Sequence, residues 1–351
     1  MVRRLALALA ACTAIGLGVS ACANDVAPTN PNAGGGATGA TTTVKIMVGG
    51  LNKQIYLPAM LGKQLGFYTE QGLDVQLSDE PAGVDAENNM LAGAVDGVVG
   101  FYDHNIDLQS KGKSTESIVQ FSQAPGEVDL VRTDLVGTIK SAADFKGRNL
   151  GVTGLGSSTN FLTKYLAVHA GVPVDQITSV AVQAGPTFIA ALQHKQIDAG
   201  MTTEPTITTA VTQGLASVLI DMRTVEGARA ALGGTYPAAC LYMTTDWVNA
   251  HKDAAQKLAN AYVKTLKWIG SHTGAEIADK MPADYYTGIG KDAYAKALDA
   301  GKAMFTKDGV MPSDGPQTVL NVLSAFDTTV KGKTVDLSKT YTTEFVSKAT
   351  S

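Results

Sequence analysis

Three hydroxyl residues, Ser157, Ser158 and Thr159, stand directly behind a glycine-broken turn at Gly154 and Gly156 in the stretch NLGVTGLGSSTNF. Leu150 and Val152 alternate as a short strand before the turn, and FLTKYLAVHA continues after it as an amphipathic segment. A strand that turns through glycine into a helix gathers hydroxyls and unpaired backbone N–H groups at a helix N-terminus. There the helix dipole favours an acceptor or an anion. The pattern predicts one wall of a small-molecule cleft. A purely local reading is that one hydroxyl caps the helix; since a cap needs only one, both readings can hold together.

Asp103 and Glu204 fall at two other predicted strand-to-helix turns. They either cap those helices or accept hydrogen bonds from N–H or O–H groups of a ligand, which would then carry an amine, amidine or hydroxyl. Tyr56, Tyr102 and Tyr236 are amphipathic and suit the wall of such a cleft, or else the core. His104 is read as a surface or capping residue, because the five histidines show no metal-ligand spacing and no metal is expected. Lys111-Gly112-Lys113-Ser114 ends like a phosphate loop, but Asp107 occupies the first glycine position and a helix precedes it. GLGSST lacks the third glycine and the downstream acid of a dinucleotide fingerprint, so no cofactor is expected. Ser157 and Ser158 have no sequence-evident base, which weighs against an enzyme. The alternative kept open is an enzyme on the same scaffold, pyrimidine-forming or hydrolytic. Cys240 lies in the apolar run AACLYM and reads as a buried, inert thiol.

The elements that must hold these residues form two βα series. Strands are expected at 44–48, 73–77, 95–100 and 118–121. A punctuation at QAPGE follows, then strands at 128–132, 149–153, 179–183, 199–202 and 217–221. The Gly233–Pro237 break precedes a returning strand at 239–244, and the remainder is helical, with Leu258, Ala261, Tyr262, Leu266 and Ile269 on one stripe. Alternating strands and helices predict parallel sheets. Pro186 and Pro205 suit N1 positions of helices, and Tyr294, Leu298 and Phe305 share a face only if the chain bends near Gly301. A first lobe interrupted by a second gives a two-strand hinge: lobe I is 44–124 with 238–351, and lobe II is 125–237. Domain interfaces and the carboxyl ends of strands are where small ligands bind.

The start of the chain is a targeting segment, residues 1–21. A basic MVRR precedes an apolar run too short for a confident span. Val19-Ser20-Ala21-Cys22 resembles the lipobox of bacterial lipoproteins, which implies cleavage before Cys22, lipidation of its thiol and a membrane anchor. Residues 22–43, rich in Gly, Ala, Thr, Asn and Pro, are expected to be a flexible tether. With Cys12 removed and Cys22 lipidated, Cys240 has no disulfide partner. A formal charge of −4, which becomes more negative when Arg3 and Arg4 leave, argues against nucleic acid as partner.

The ordered series GGLNKQIYLPAML, AGAVDGVVGFYDH, SAADFKGRNLGVTGLGSST, IDAGMTTEP and GGTYPAACLYMTTDW resembles the periplasmic solute-binding proteins of ABC importers. The branch is the nitrate/sulfonate/taurine type, which includes the thiamine-pyrimidine-synthase-like proteins, and the resemblance covers residues 44–351. It implies a type II periplasmic-binding-protein fold in the α/β class. It also implies an extracytoplasmic, lipid-anchored monomer whose lobes close on a small organic solute (sulfonate, carboxylate or pyrimidine-like), and docking of the closed form on a permease driven by an ATPase. Carried over residue by residue, the ligand contacts are Asn52, Gln54 and Tyr56 after the first strand and Tyr102 and Asp103 after the third. Gly156, Ser157, Ser158 and Thr159 supply the hydroxyl-rich helix start, Thr203 and Glu204 the E-P turn; Tyr236 is added from the GGTYP break. No arginine stands in these turns, and the cysteine-rich motif of the fungal pyrimidine-forming relatives is absent.

Overall fold

The computed structural model describes residues 41–350. The leader, Cys22 and the tether up to residue 40 lie outside the described residues. The chain builds β1 (Thr42–Val48), β2 (Leu73–Asp79), β3 (Gly97–Phe101) and β4 (Thr115–Gln120). It then crosses to build β5 (Glu127–Arg132), β6 (Asn149–Val152), β7 (Thr178–Ala181), β8 (Ala199–Thr203) and β9 (Ala216–Asp221), and returns as β10 (Ala239–Thr244). Two five-stranded sheets result, with orders β2-β1-β3-β10-β4 and β7-β6-β8-β5-β9. This is the expected α/β architecture of two βα lobes joined by two crossing segments. β1 begins at Thr42, two residues inside the stretch read as tether, because Thr42 and Thr43 pair with Leu73 and Asp74.

The expectation of purely parallel sheets is corrected. β10 runs antiparallel to both β3 and β4, and β5 runs antiparallel to both β8 and β9. These are the strands that enter each sheet straight from the other lobe. β5 follows β4 with no helix between them, and the helix before β10, Val225–Leu232, packs with β9 of the second sheet, so neither strand comes by a helical crossover on its own sheet that would turn it parallel.

The helices of the first series are α1 (Leu57–Gln64), α2 (Phe67–Glu70), α3 (Gly83–Leu91) and α4 (Asp103–Ser110). Those of the second are α5 (Ser158–His169), α6 (Pro186–Gln193), α7 (Thr206–Thr212) and α8 (Val225–Leu232). Pro186 holds the N1 position of α6 as expected, but Pro205 is the N-cap residue of α7 rather than its N1. The sequence reading missed α8, a short helix whose Thr224 side chain accepts from the Gly227 backbone N–H. One face of the second sheet packs Val128, Leu130, Phe188, Leu192 and Ile197 into a separate core. The other face of β5 carries Glu127, Asp129 and Val131.

The remainder is helical: α9 (Thr245–Ala250), α10 (Lys252–Ser271), α11 (Gly274–Ala278), α12 (Lys291–Gly301) and α13 (Gly315–Phe326). The α10 stripe Leu258, Ala261, Tyr262, Leu266 and Ile269 is buried throughout. Each large apolar side chain there contributes about 1.5–3 kcal/mol. α12 ends at Gly301, where a 3-10 turn over Lys302–Met304 redirects the chain and lets Phe305 be buried with Tyr294 and Leu298. No helix among the described residues is long and apolar enough to cross a membrane.

Candidate ligand-binding site

The β6-to-α5 turn forms one wall of the seam between the lobes. Gly156 takes φ +91°, a conformation that L side chains rarely adopt. At Gly154 a Cβ would stand 3.0 Å from both Ala82 Cβ and Ser157 Oγ, so the turn and the α3 entry approach closely there and a side chain would have to displace them. Ser157 is the N-cap residue of α5, yet its hydroxyl makes no capping bond. It instead accepts from the Val84 backbone N–H of α3 at 3.3 Å, across the seam. Ser158 Oγ donates to Asp103 Oδ1 at 2.7 Å, again across the seam. Thr159 Oγ1 turns inward, accepting from the Thr153 N–H at 2.9 Å and closing its own turn. Of the three hydroxyls, two therefore join the lobes and one braces the turn.

Asp103 sits in the first turn of α4 and is fully buried. It does not cap that helix. Its second oxygen accepts from Tyr236 Oη at 2.9 Å. Burial raises its pKa, while the neighbouring His104 charge and the Ser158 and Tyr236 hydroxyls act in the opposite sense. His104, read as a surface residue, is instead 1% exposed and pairs with Glu87 of α3 at 2.6 Å. Burial opposes its charge, but the Glu87 carboxylate, with Asp103 and Asp107 nearby, outweighs burial and raises it to about 9. The imidazole is therefore held as a cation at neutral pH. Sequence spacing gave no hint of the pair, because Glu87 and His104 meet only when α3 and α4 pack.

Beside these groups lies a cavity of about 10 Å³, room for about one water. Of the residues singled out from the sequence, Tyr56, Ser157, Ser158, Thr159 and Thr203 line it. So do three ionisable residues that the sequence did not single out as ligand contacts: Lys53, His104 and Glu127. Lys53 stands between the expected Asn52 and Gln54. Its Nζ is buried and donates to Gly49 O at 2.6 Å and Pro81 O at 3.0 Å. Burial lowers its pKa to about 8, against the opposing pull of Glu127 and Asp79. Glu127 is 3% exposed, and its Oε2 accepts no hydrogen bond from the described residues. Burial, then the Asp103 charge, raises its pKa. A groove of about 680 Å³ opens beside the cavity, lined by Val84, Leu155, Val182 and Thr187 among others, with Thr153 common to both.

Other expected residues lie outside this cavity. Asn52 is exposed and lines a separate groove with Pro186 and Tyr285. The Gln54 side chain donates to Tyr294 O at 3.2 Å, and its backbone N–H donates across the seam to Glu204 O at 3.1 Å. Tyr102 is buried in the core of the first lobe: its hydroxyl pairs with Thr340, and its ring meets Tyr341 edge-on. Glu204 takes its local role. It accepts from the Thr208 N–H of α7 at 3.0 Å and pairs with Arg223 at 3.0 Å. That arginine is nineteen residues away in sequence, which is why no turn appeared to contain one.

The family model described as NMT1/THI5 like matches residues 54–274. The chain belongs to this family. The NMT1/THI5-like chain is also similar to a solved structure from Bordetella bronchiseptica RB50, with 33% identity, 88% of this chain and 96% of that chain covered, and a TM-score of 0.83. It is similar in fold to the periplasmic nitrate-binding protein of Synechocystis PCC 6803, with 14% identity, 88% of each chain covered and a TM-score of 0.68. It is likewise similar in fold to the alkanesulfonate-binding protein of Xanthomonas axonopodis pv. citri bound to MOPS, with 16% identity, 82% of this chain and 91% of that chain covered, and a TM-score of 0.62. A comparison with curated proteins finds no match.

Proposed function

We propose that this NMT1/THI5-like protein is the extracytoplasmic solute-binding component of an ABC importer. In this reading it is a monomer, lipidated at Cys22, that captures a small organic solute between lobe I (44–124 and 238–351) and lobe II (125–237) and delivers it to a permease driven by an ATPase. The observation that carries the reading is the seam itself. Ser158 to Asp103, Ser157 to Val84 and Gln54 to Glu204 are hydrogen bonds that exist only when the two lobes meet. Closure driven by contacts of this kind is how a two-lobed receptor traps a solute. The nitrate-binding and alkanesulfonate-binding proteins of like fold support the same role.

The enzyme alternative finds less support in the chemistry of the cavity. Ser158 donates to a carboxylate, and the only imidazole lining the cavity among the described residues is paired with Glu87 and protonated at neutral pH, so it is not a base for either serine. A thermal-shift screen across sulfonates, carboxylates, pyrimidines and amines tests the proposal. A binder raises the melting temperature by mass action, and mass analysis after incubation recovers it unchanged. Conversion of the bound compound to a product would overturn the receptor reading.

A further inference from the structure

We propose that Glu127 sets the specificity of the cleft and that the solute it selects is a small organic cation bearing N–H donors, a protonated amine or amidinium, rather than an oxyanion. This rests on the solute-binding reading above and gives it a substrate class.

The argument starts from an unmet acceptor. Glu127 lies at the start of β5, where the chain has just crossed into the second lobe, and its carboxylate lines the cavity. It is 3% exposed, and Oε2 has no donor among the described residues. A buried carboxylate oxygen without a donor is costly, and a charged N–H donor is its strongest complement. Lys53 does not fill that role. It forms no ion pair with Glu127 within 4.0 Å, and two of its three hydrogens are directed to the Gly49 and Pro81 carbonyls.

The charges around the cavity point the same way. Lys53 and the His104 imidazolium are the cations; Glu87, Asp103 and Glu127 are the carboxyl groups. Glu87 is matched by His104, and Asp103 is satisfied by Ser158 and Tyr236. One carboxyl is left in excess, and it is the one without a partner. An oxyanion placed beside Glu127 and Asp103 would oppose the ionisation of two buried carboxyl groups, where charges interact strongly. The remaining Lys53 hydrogen and the α5 N-terminus leave room for a neutral acceptor on the same solute. The groove of about 680 Å³ adjoining the cavity offers space for an apolar body.

The groups facing Glu127 are Lys53 and Tyr56 from the turn after β1, Asp103 and His104 from α4, Asp129 on its own strand, Tyr236 from the segment before β10 and, across β8, the uncharged Thr203. Burial raises the pKa of the Glu127 carboxyl well above the usual carboxylate range. Arrival of a cation stabilises the carboxylate and moves its titration back down, so binding at a pH within the shifted range releases a proton to solvent.

The test is calorimetry on the full chain with benzylammonium, benzamidinium, benzyltrimethylammonium, benzenesulfonate and nitrate, in buffers of different ionisation enthalpy. The expected result is binding of the two N–H cations with proton release, and weaker binding of the quaternary cation, which has no N–H. Glu127→Gln should weaken the N–H cations by about 10- to 100-fold and abolish proton release. Glu127→Asp should keep the proton release. The melting temperature of each variant reports folding, and Glu127→Gln, which removes a buried ionisable group, is expected to melt no lower than the parent. Binding of benzenesulfonate or nitrate in place of the amines would overturn this inference while leaving the receptor reading intact. Equal amine affinity in Glu127→Gln would also overturn it. If no probe binds, the inference falls, and the receptor reading is judged by its own screen.

Discussion

Asp129 makes the most quantitative prediction. Both of its carboxylate oxygens are buried without a hydrogen-bond partner, the residue is 0% exposed, and burial alone raises its pKa from 3.8 to about 7. The unfolded chain releases this proton near pH 4, whereas the folded chain holds it until about pH 7. Over that window the unfolded state binds fewer protons, so stability falls as pH rises and levels off above about pH 7. A rise of about three pH units corresponds to roughly 4 kcal/mol for this one group. Asp129→Asn removes the titration and replaces it with a buried amide, whose cost of about 1–3 kcal/mol does not vary with pH. Urea unfolding of parent and variant between pH 4.5 and 8.5 reads the effect, since the titrations away from Asp129 and its neighbour Glu127 are common to both. The variant should gain on the parent by about 3–4 kcal/mol between pH 4.5 and about 7, and hold that advantage above it. Parallel stability curves would show that Asp129 is solvated or paired in solution and would refute the reasoning.

Ser158→Ala deletes the hydroxyl that joins the lobes at Asp103. It should favour the open form by about 1.5–3 kcal/mol, read as a larger radius of gyration in X-ray scattering and a solute affinity weaker by roughly tenfold or more, with little change in melting temperature. Cys240 is fully buried and its thiol pKa is driven up by burial. The native protein should resist thiol reagents at pH 8 and react only at the rate of unfolding; fast labelling would mean that β10 opens locally. Cys22→Ser should move the protein from the membrane fraction to the soluble fraction of expressing cells, and unchanged membrane retention would rule out the lipid anchor.

Much of the fold was legible because its signals are local. Short apolar runs marked β1 and β6, proline marked the start of α6, and the Gly301 bend followed from the spacing of Tyr294, Leu298 and Phe305. The direction of β5 and β10 was not legible, because strand direction depends on which lobe the chain arrives from. The helix α8, only eight residues long and started by a single Thr224 cap, was missed.

The candidate site divides along the same line. The sequence by itself determined the turn Gly154–Thr159, since glycine followed by hydroxyls at a helix start is a consequence of local backbone chemistry. It also marked the turns carrying Tyr56, Asp103 and Thr203. Only the tertiary structure decided what those groups do. Ser157 and Ser158 reach partners seventy-three and fifty-five residues away, so neither acts as the cap that local rules suggested. Tyr102 turned into the core, and Glu204 found Arg223. Lys53 and Glu127 carried no motif. Their importance comes from burial beside one cavity, and burial is set by the packing of two lobes rather than by any residue's neighbours in the chain.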